Sequence, residues 1–369
     1  MNMKKRITFL LPGIANRPIG GYRVVYEYAN RLANDGYIVN IVYPAYMHFD
    51  NDTYLFRFLR ILKALFRYLY CIIAKRYSCS IWFNLDKRVN ELLVPSLSEK
   101  CCPESDVYVA TSARTAIYMN EYKKKSSKVY IIQGYEAWNG ITDEQLIDTY
   151  KYPFKKIVIS NWLYDIVSKY DPHCQLIPNG FDFDFFKKTV ECEKRDRYTI
   201  AMMYHVQELK GCDDGFMALD IVKKKCSQLK VSLFGVYPQP DNLPDWITYY
   251  RQPDKDTFNK IYNSAAIFIA TSWSEGWGLT IGEAMMCGCA VACTDNAGYR
   301  EMAIDDKTAL LSPIKNPAAL AENIIRLIED DALRIRIAEQ GYEYIQKFKW
   351  NDSYCKLKSI FNYLMSYRL

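Results

Sequence analysis

The sequence predicts an α/β protein built from two doubly wound parallel sheets. Three features carry this reading. Short apolar runs alternate with helical stretches, glycine-containing loops sit where strand passes to helix, and the pattern begins again half-way along the chain. At 369 residues, length alone suggests about two domains. A composition that is 50% hydrophobic and 24% charged supports a large core and argues against disorder.

The elements justify themselves in order. Arg6–Leu11 is an apolar run shorter than the roughly 7–15-residue core of a signal peptide, and it reads as a buried first strand. A turn containing Pro12, Gly13, Pro18, Gly20 and Gly21 leads to a helix over Val24–Asn34, which Gly36 ends, and to a strand at Ile38–Val42. Further strands are expected at Val107–Ala110, Lys128–Gln133, Lys156–Ile159 and Gln175–Ile177. The second half restarts with a strand at Tyr198–Met203, a loop with Lys210 and Gly211, a helix from about Asp213 to Lys225 and a strand at Lys230–Gly235. A strand at Ile267–Thr271 and a helix at Thr280–Cys287 follow. Asn316 and Pro317 then open a long helix as cap and first residue. A final helix covers about Asp352–Tyr367, set off by Phe348–Trp350. The expected division is residues 1–185 and 186–351, two Rossmann-like halves with their junction near the polar stretch Glu191–Arg197.

Charge is concentrated. The excess of 48 basic over 42 acidic residues equals the six basic residues of one acid-free stretch, Thr53–Leu85: Arg57, Arg60, Lys63, Arg67, Lys75 and Arg76. The remainder sums to zero, so the chain lacks the broad basic surface of a nucleic-acid binder. The 12 cysteines follow no framework, and with only three histidines (His48, His173, His205) no metal site is expected. Unframed cysteines suit a reducing cytoplasm. No uncharged apolar run approaches the ~18–20 residues of a membrane span.

The sharpest chemical signal is Ser274-Glu275-Gly276-Trp277-Gly278-Leu279-Thr280-Ile281-Gly282-Glu283-Ala284. It reads as a strand end, a glycine-rich turn and the first turns of a helix, where backbone N–H groups favour phosphate. Glu275 and Glu283, with seven residues between them, are two carboxylates able to accept hydrogen bonds from sugar hydroxyls on either side of a diphosphate. The bland alternative is a glycine loop with a capping acid.

This stretch, continued by Met285-Met286-Cys287-Gly288, resembles the retaining glycosyltransferases of family 4. Gly20-Gly21 with Leu32-Ala33-Asn34-Asp35-Gly36-Tyr37, Ile177-Pro178-Asn179-Gly180-Phe181-Asp182, Lys210-Gly211 and Asn296-Ala297-Gly298-Tyr299-Arg300-Glu301 match further family segments in order. The resemblance covers most of the chain, with residues 46–100 and the region of Gln133 fitting worst. It implies a GT-B fold, with two Rossmann-like domains facing across a cleft and the last helix, 352–369, packing back on the first. It implies that Glu283 binds the donor ribose and Glu275 the transferred sugar. It also implies that Gly21 and the loop Gly276, Trp277, Gly278 and Leu279 contact the diphosphate or sugar, and that Lys210 neutralises the leaving diphosphate. His205 stands where the family commonly has an arginine; a neutral imidazole donates one hydrogen bond but holds no permanent charge at pH 7. Gln133 and Glu136 fall at the strand end where many members have a sugar-facing histidine, and they are assigned to the acceptor side, against the alternative of a structural loop.

The implied reaction is a retaining transfer from a nucleotide diphospho-sugar to a saccharide or lipid-linked acceptor. No cofactor or metal is expected, and the diphosphate oxygen assists deprotonation of the acceptor. Arg17–Tyr22 and Gln133–Glu136 resemble a bacterial polysaccharide rhamnosyltransferase subgroup. Arg57, Arg60, Lys63 and Arg67, spaced 3, 3 and 4, gather on one side of a helix with leucines and aromatics elsewhere. Such a basic amphipathic helix suits an anionic membrane surface, here the inner face of a cytoplasmic membrane, unless it packs on its own domain. The rival reading is a non-catalytic nucleotide-sugar-binding homologue serving as a membrane-associated assembly partner. A dinucleotide dehydrogenase is disfavoured because the first strand leads to Gly13-Ile14-Ala15-Asn16-Arg17-Pro18-Ile19-Gly20-Gly21, not G-x-G-x-x-G.

Overall fold

The computed structural model describes residues 5–47, 54–74, 80–137 and 140–366. The chain forms two compact units, Met1–Pro178 with Asn351–Leu369, and Asn179–Trp350.

In the first unit β1 (Arg6–Leu10), α1 (Gly20–Asn34) and β2 (Ile38–Pro44) follow the expected succession. The helix starts earlier than expected, so Gly20 and Gly21 form its first turn. Next come α2 (Tyr54–Ile73), β3 (Asn90–Val94), β4 (Val107–Ala110), α3 (Ala113–Asn120), β5 (Ser127–Ile132), α4 (Asp143–Lys151), β6 (Lys155–Val158), α5 (Asn161–Val167) and β7 (Gln175–Leu176). Local chemistry sets the helix starts. Ser112 with Thr115 and Thr142 with Gln145 build reciprocal capping boxes on α3 and α4. The strands make one parallel sheet in the order β3-β2-β1-β4-β5-β6-β7, and both central strands, β1 and β4, are buried from Ile7 and Val107 onward.

The second unit repeats the plan. Its elements are β8 (Thr199–Tyr204), α6 (Cys212–Lys225), β9 (Lys230–Gly235), β10 (Ile247–Arg251), α7 (Lys255–Ser264), β11 (Ile267–Ala270), α8 (Leu279–Met286), β12 (Ala290–Thr294), β13 (Leu310–Ser312), α9 (Pro317–Glu329) and α10 (Asp331–Ile345). Its parallel sheet runs β10-β9-β8-β11-β12-β13. The single long helix expected after Pro317 is two, because Asp330 leaves helical geometry and its carboxylate accepts the Leu333 N–H, ending α9 and capping α10. Ile200, Met202, Leu233, Ile267, Ile269 and Leu310 are among the core residues of this unit.

The last helix, α11 (Trp350–Ser366), belongs from Asn351 to the first unit. There the Tyr37 hydroxyl donates to Asn362 (2.6 Å) and Lys358 pairs with Asp35 (2.7 Å), so the helix is tied to the end of α1. Among the described residues no helix is long and apolar enough to cross a membrane.

Candidate active site

In both sheets the strand order reverses at one place, between β1 and β4 and between β8 and β11. Ligands of open α/β sheets bind outside the carboxyl ends of the strands at such switch points. Of the residues singled out above, Lys210, Glu275 and Glu283 lie on the segments that follow β8 and β11, and Gly21 on the one that follows β1.

In the second unit the loop after β8 carries His205 and Lys210, and the loop after β11 carries Glu275. Lys210 Nζ lies 2.7 Å from Glu275 Oε1, which also accepts the Ser272 hydroxyl at 2.7 Å. The pair is mostly buried, with the two side chains 23% and 17% exposed. Two features hold the lysine loop in place. Gly211 has φ +60°, and a Cβ there would stand 2.2 Å from the Thr271 carbonyl oxygen, so only glycine allows the two loops this close. The Thr271 hydroxyl in turn donates to the Lys210 carbonyl (2.7 Å). On the other side Gly278, with φ +95°, turns the chain into α8 with no side-chain cap.

Glu283 lies on α8 and is 4% exposed. The Tyr262 hydroxyl donates to its Oε2 at 3.2 Å. Burial, and then the Glu283 charge, hold this phenol well above its ordinary range, so it stays a protonated donor. Trp277, between Gly276 and Gly278, is buried, with its ring edge-on to Phe348 at 5.2 Å, and offers no open stacking face. Trp273 is also occupied: its indole donates to Asp214 (2.6 Å) and Lys315 lies 4.1 Å over its ring.

His205 turns the other way. Its Nδ1 accepts the Gln207 N–H (3.0 Å), and Nε2 lies 3.3 Å from the Tyr237 hydroxyl, beyond β9. The loop after β8 therefore sends Lys210 toward β11 and His205 toward β9.

The first unit gathers the other predicted residues. Gln133 Nε2 donates to the Gly21 carbonyl at 3.2 Å, joining the end of β5 to the first turn of α1. Glu136 accepts the Ala113 N–H at 2.6 Å, at the start of α3. Burial pushes its carboxyl up to about 7, against the lowering effects of that hydrogen bond and of Arg114. Of the basic helix, Arg60, Lys63 and Arg67 are exposed on α2, while the side chain of Arg57, and all of Lys75 and Arg76, lie outside the described residues. Opposite the basic side, Phe58, Ile61, Leu65, Leu69 and Ile72 form an exposed apolar stripe, so the described chain does not cover it. Among the described residues no group of three His, Cys, Asp or Glu side chains is arranged to hold a metal ion.

Sequence reasoning missed Ser272 and Tyr262. Ser272 lies three residues before Glu275 at a strand end, a position from which a hydroxyl reaches a carboxylate, so a local signal existed. Tyr262 lies on another helix, and only tertiary packing brings it to Glu283.

The segment holding the ion pair and Glu283 carries the likeness to known proteins. Residues 185–344 match the glycosyl transferases group 1. The chain is 25% identical over 189 residues to a phosphatidyl-myo-inositol mannosyltransferase of Mycobacterium tuberculosis, covering 47% of this chain and 50% of that protein. It is 30% identical over 109 residues to an uncharacterized glycosyltransferase of Methanocaldococcus jannaschii, covering 30% of this chain and 31% of that one. The chain thus spans at most half the length of these curated relatives. Among solved structures, the sucrose-phosphate synthase of Thermosynechococcus elongatus aligns with a TM-score of 0.71 at 17% identity, covering 98% of this chain and 100% of that one. Anabaena Alr3699/HepE in complex with UDP and glucose aligns with a TM-score of 0.72 at 14% identity, covering 97% and 99%. At such identities the likeness speaks for the fold, which is GT-B: two Rossmann-like domains.

Proposed function

We propose that the protein is a retaining glycosyltransferase of the family 4 kind. It moves a sugar from a nucleotide diphospho-sugar to a saccharide or lipid-linked acceptor in cell-surface polysaccharide synthesis. The observation that carries the reading is the Lys210–Glu275 pair at the switch point of the second sheet, with Glu283 on the helix that follows. Lys210 meets the diphosphate and stabilises its growing charge as the bond to the sugar breaks, so that no protein-held metal is required. Glu275 receives hydroxyls of the transferred sugar and Glu283 those of the ribose, while Gly276–Leu279 offers backbone N–H groups. Gln133 and Glu136 serve the acceptor side.

The same proposal places the protein at the inner face of a membrane. The exposed apolar stripe of α2, with Arg60, Lys63 and Arg67 opposite it, suits an interface of anionic lipid. A second copy of the helix is disfavoured as a partner, since residues 53–85 contain no acid to meet those charges. The name of the mycobacterial relative, which contains a phosphatidyl lipid, supports this direction.

A thermal-shift panel of UDP-, GDP- and dTDP-sugars tests the donor reading. A ligand at a hundred times its Kd stabilises the folded state by about 2.7 kcal/mol. One class should therefore raise the melting point clearly, and the dTDP arm tests the rhamnosyl subgroup. No shift with any class at millimolar concentration refutes the assignment, and a shift without turnover on any acceptor favours a binding-only homologue.

A further inference from the structure

We propose that Tyr262 is a positioning residue that sets the Glu283 carboxylate for the donor ribose; this rests on the donor reading of Glu283 given above. Helix α8 has eight residues, too few to be stable alone, and its start at Gly278 has no capping side chain. Its orientation therefore depends on contacts from outside: β11, β12 and α10 pack against it, and a polar contact stands near each end.

At its C-terminal end stands Arg195, 6% exposed. Its guanidinium donates to the carbonyls of Ala265 (2.8 Å) and Tyr262 (3.3 Å) at the end of α7, to that of Cys287 at the end of α8, and to Val190 (2.8 Å). The carbonyl ends of two helices compensate this buried cation and are fastened to each other by it. At the other end the Tyr262 hydroxyl approaches the Thr280 carbonyl (3.5 Å) and donates to Glu283 Oε2. The Tyr262 ring has little freedom, since Phe186, Phe234, Phe258 and Phe268 surround it with centroids 5.2–5.8 Å away. A rigid ring, anchored on one helix, thus aims a neutral donor at one oxygen of the Glu283 carboxylate on the next. Holding that oxygen fixes the plane in which Glu283 accepts from a ligand.

The test titrates UDP and GDP, and their 2′,3′-dideoxy analogues, into wild-type protein and the Tyr262→Phe and Glu283→Gln variants by calorimetry. Tyr262→Phe keeps the ring and the packing and removes only the hydroxyl. Expected is about a tenfold weaker binding of the ribonucleotide with unchanged binding of the dideoxy analogue, the same pattern as Glu283→Gln. Equal weakening of both ligands, or no weakening, overturns the positioning role. Wild-type protein that binds ribo and dideoxy forms alike refutes instead the Glu283 reading beneath it. The double variant separates the two residues: an effect of Tyr262→Phe that persists in full in the Glu283→Gln background also overturns the proposal.

Discussion

Replacing Glu275 by Gln separates the two roles assigned to the switch-point pair, and its cost can be worked from the structure. At 2.7 Å and an effective dielectric of about 20 the gross attraction to Lys210 is roughly 6 kcal/mol, most of it offset by desolvation of two largely buried charges. Exposed pairs contribute about 0–1 kcal/mol, and breaking a fully buried pair costs about 3–5 kcal/mol. With side chains 23% and 17% exposed, this pair falls between, at about 2 kcal/mol. In a unit the size of Asn179–Trp350 that corresponds to a melting point lower by about 4–8 °C. This sign is diagnostic, because removing a functional group that has no partner in the empty site commonly stabilises a protein. Lys210→Met should lose a similar amount. The double variant should lose clearly less than the sum, since neither charge is then left alone.

The ligand readout divides the pair. Glu275→Gln releases Lys210, so binding of a bare nucleoside diphosphate should be kept or tightened while sugar transfer falls at least a hundredfold. Lys210→Met should weaken the nucleoside diphosphate at least tenfold. Melting measurements and calorimetry on the three variants decide it. A stabilised Glu275→Gln protein, additive single effects, or loss of diphosphate binding in Glu275→Gln alone refutes the reasoning.

Three further outcomes are expected. Gly211→Ala places a Cβ 2.2 Å from the Thr271 oxygen at a positive φ, so it should cost about 1–3 kcal/mol in chemical denaturation and displace Lys210 enough to weaken diphosphate binding. Glu136 is raised in the folded state from 4.5 to about 7, so its contribution to stability is full below about pH 4.5 and is lost as pH rises to 7. Glu136→Gln should therefore leave stability unchanged at pH 4 and raise it by at most about 3 kcal/mol at pH 8, and equal effects at both values would contradict the assignment. Serine at Arg57, Arg60, Lys63 and Arg67 should weaken co-sedimentation with vesicles rich in phosphatidylglycerol. Wild-type protein that ignores such vesicles, or a variant that binds them equally, removes the membrane proposal.

Much of the fold was legible because parallel strands buried on both faces write themselves as apolar runs. Val107–Ala110 and Lys230–Gly235 have the expected limits for that reason. Asn90–Val94 escaped because only its last two residues are fully buried, at the edge of the sheet beside β2. The break at Asp330 was hidden by apolar periodicity that resumes in phase, although Asp330-Asp331 was a cap in plain view. In the candidate site the glycine loop and the two acids could be read locally, and so could the lysine. What could not be read was direction. Nothing in the spacing of His205 and Lys210 says that a backbone N–H at Gln207 captures one imidazole nitrogen and turns that ring away from the lysine's side of the loop.

The two acids, with seven residues between them, meet opposite kinds of partner, and that difference bears on how the site would work. Glu275 faces a cation, and under the proposed donor reading an arriving diphosphate carries charge that competes for it, so the neighbours of Glu275 would change when the ligand enters. Glu283 faces a phenol whose proton is held tightly by burial, a partner that no anion can draw away. On that reading one carboxylate would exchange its partner during the reaction cycle and the other would keep it. Between them the left-handed turn at Gly278 ends the loop that carries Glu275 and starts α8, which carries Glu283.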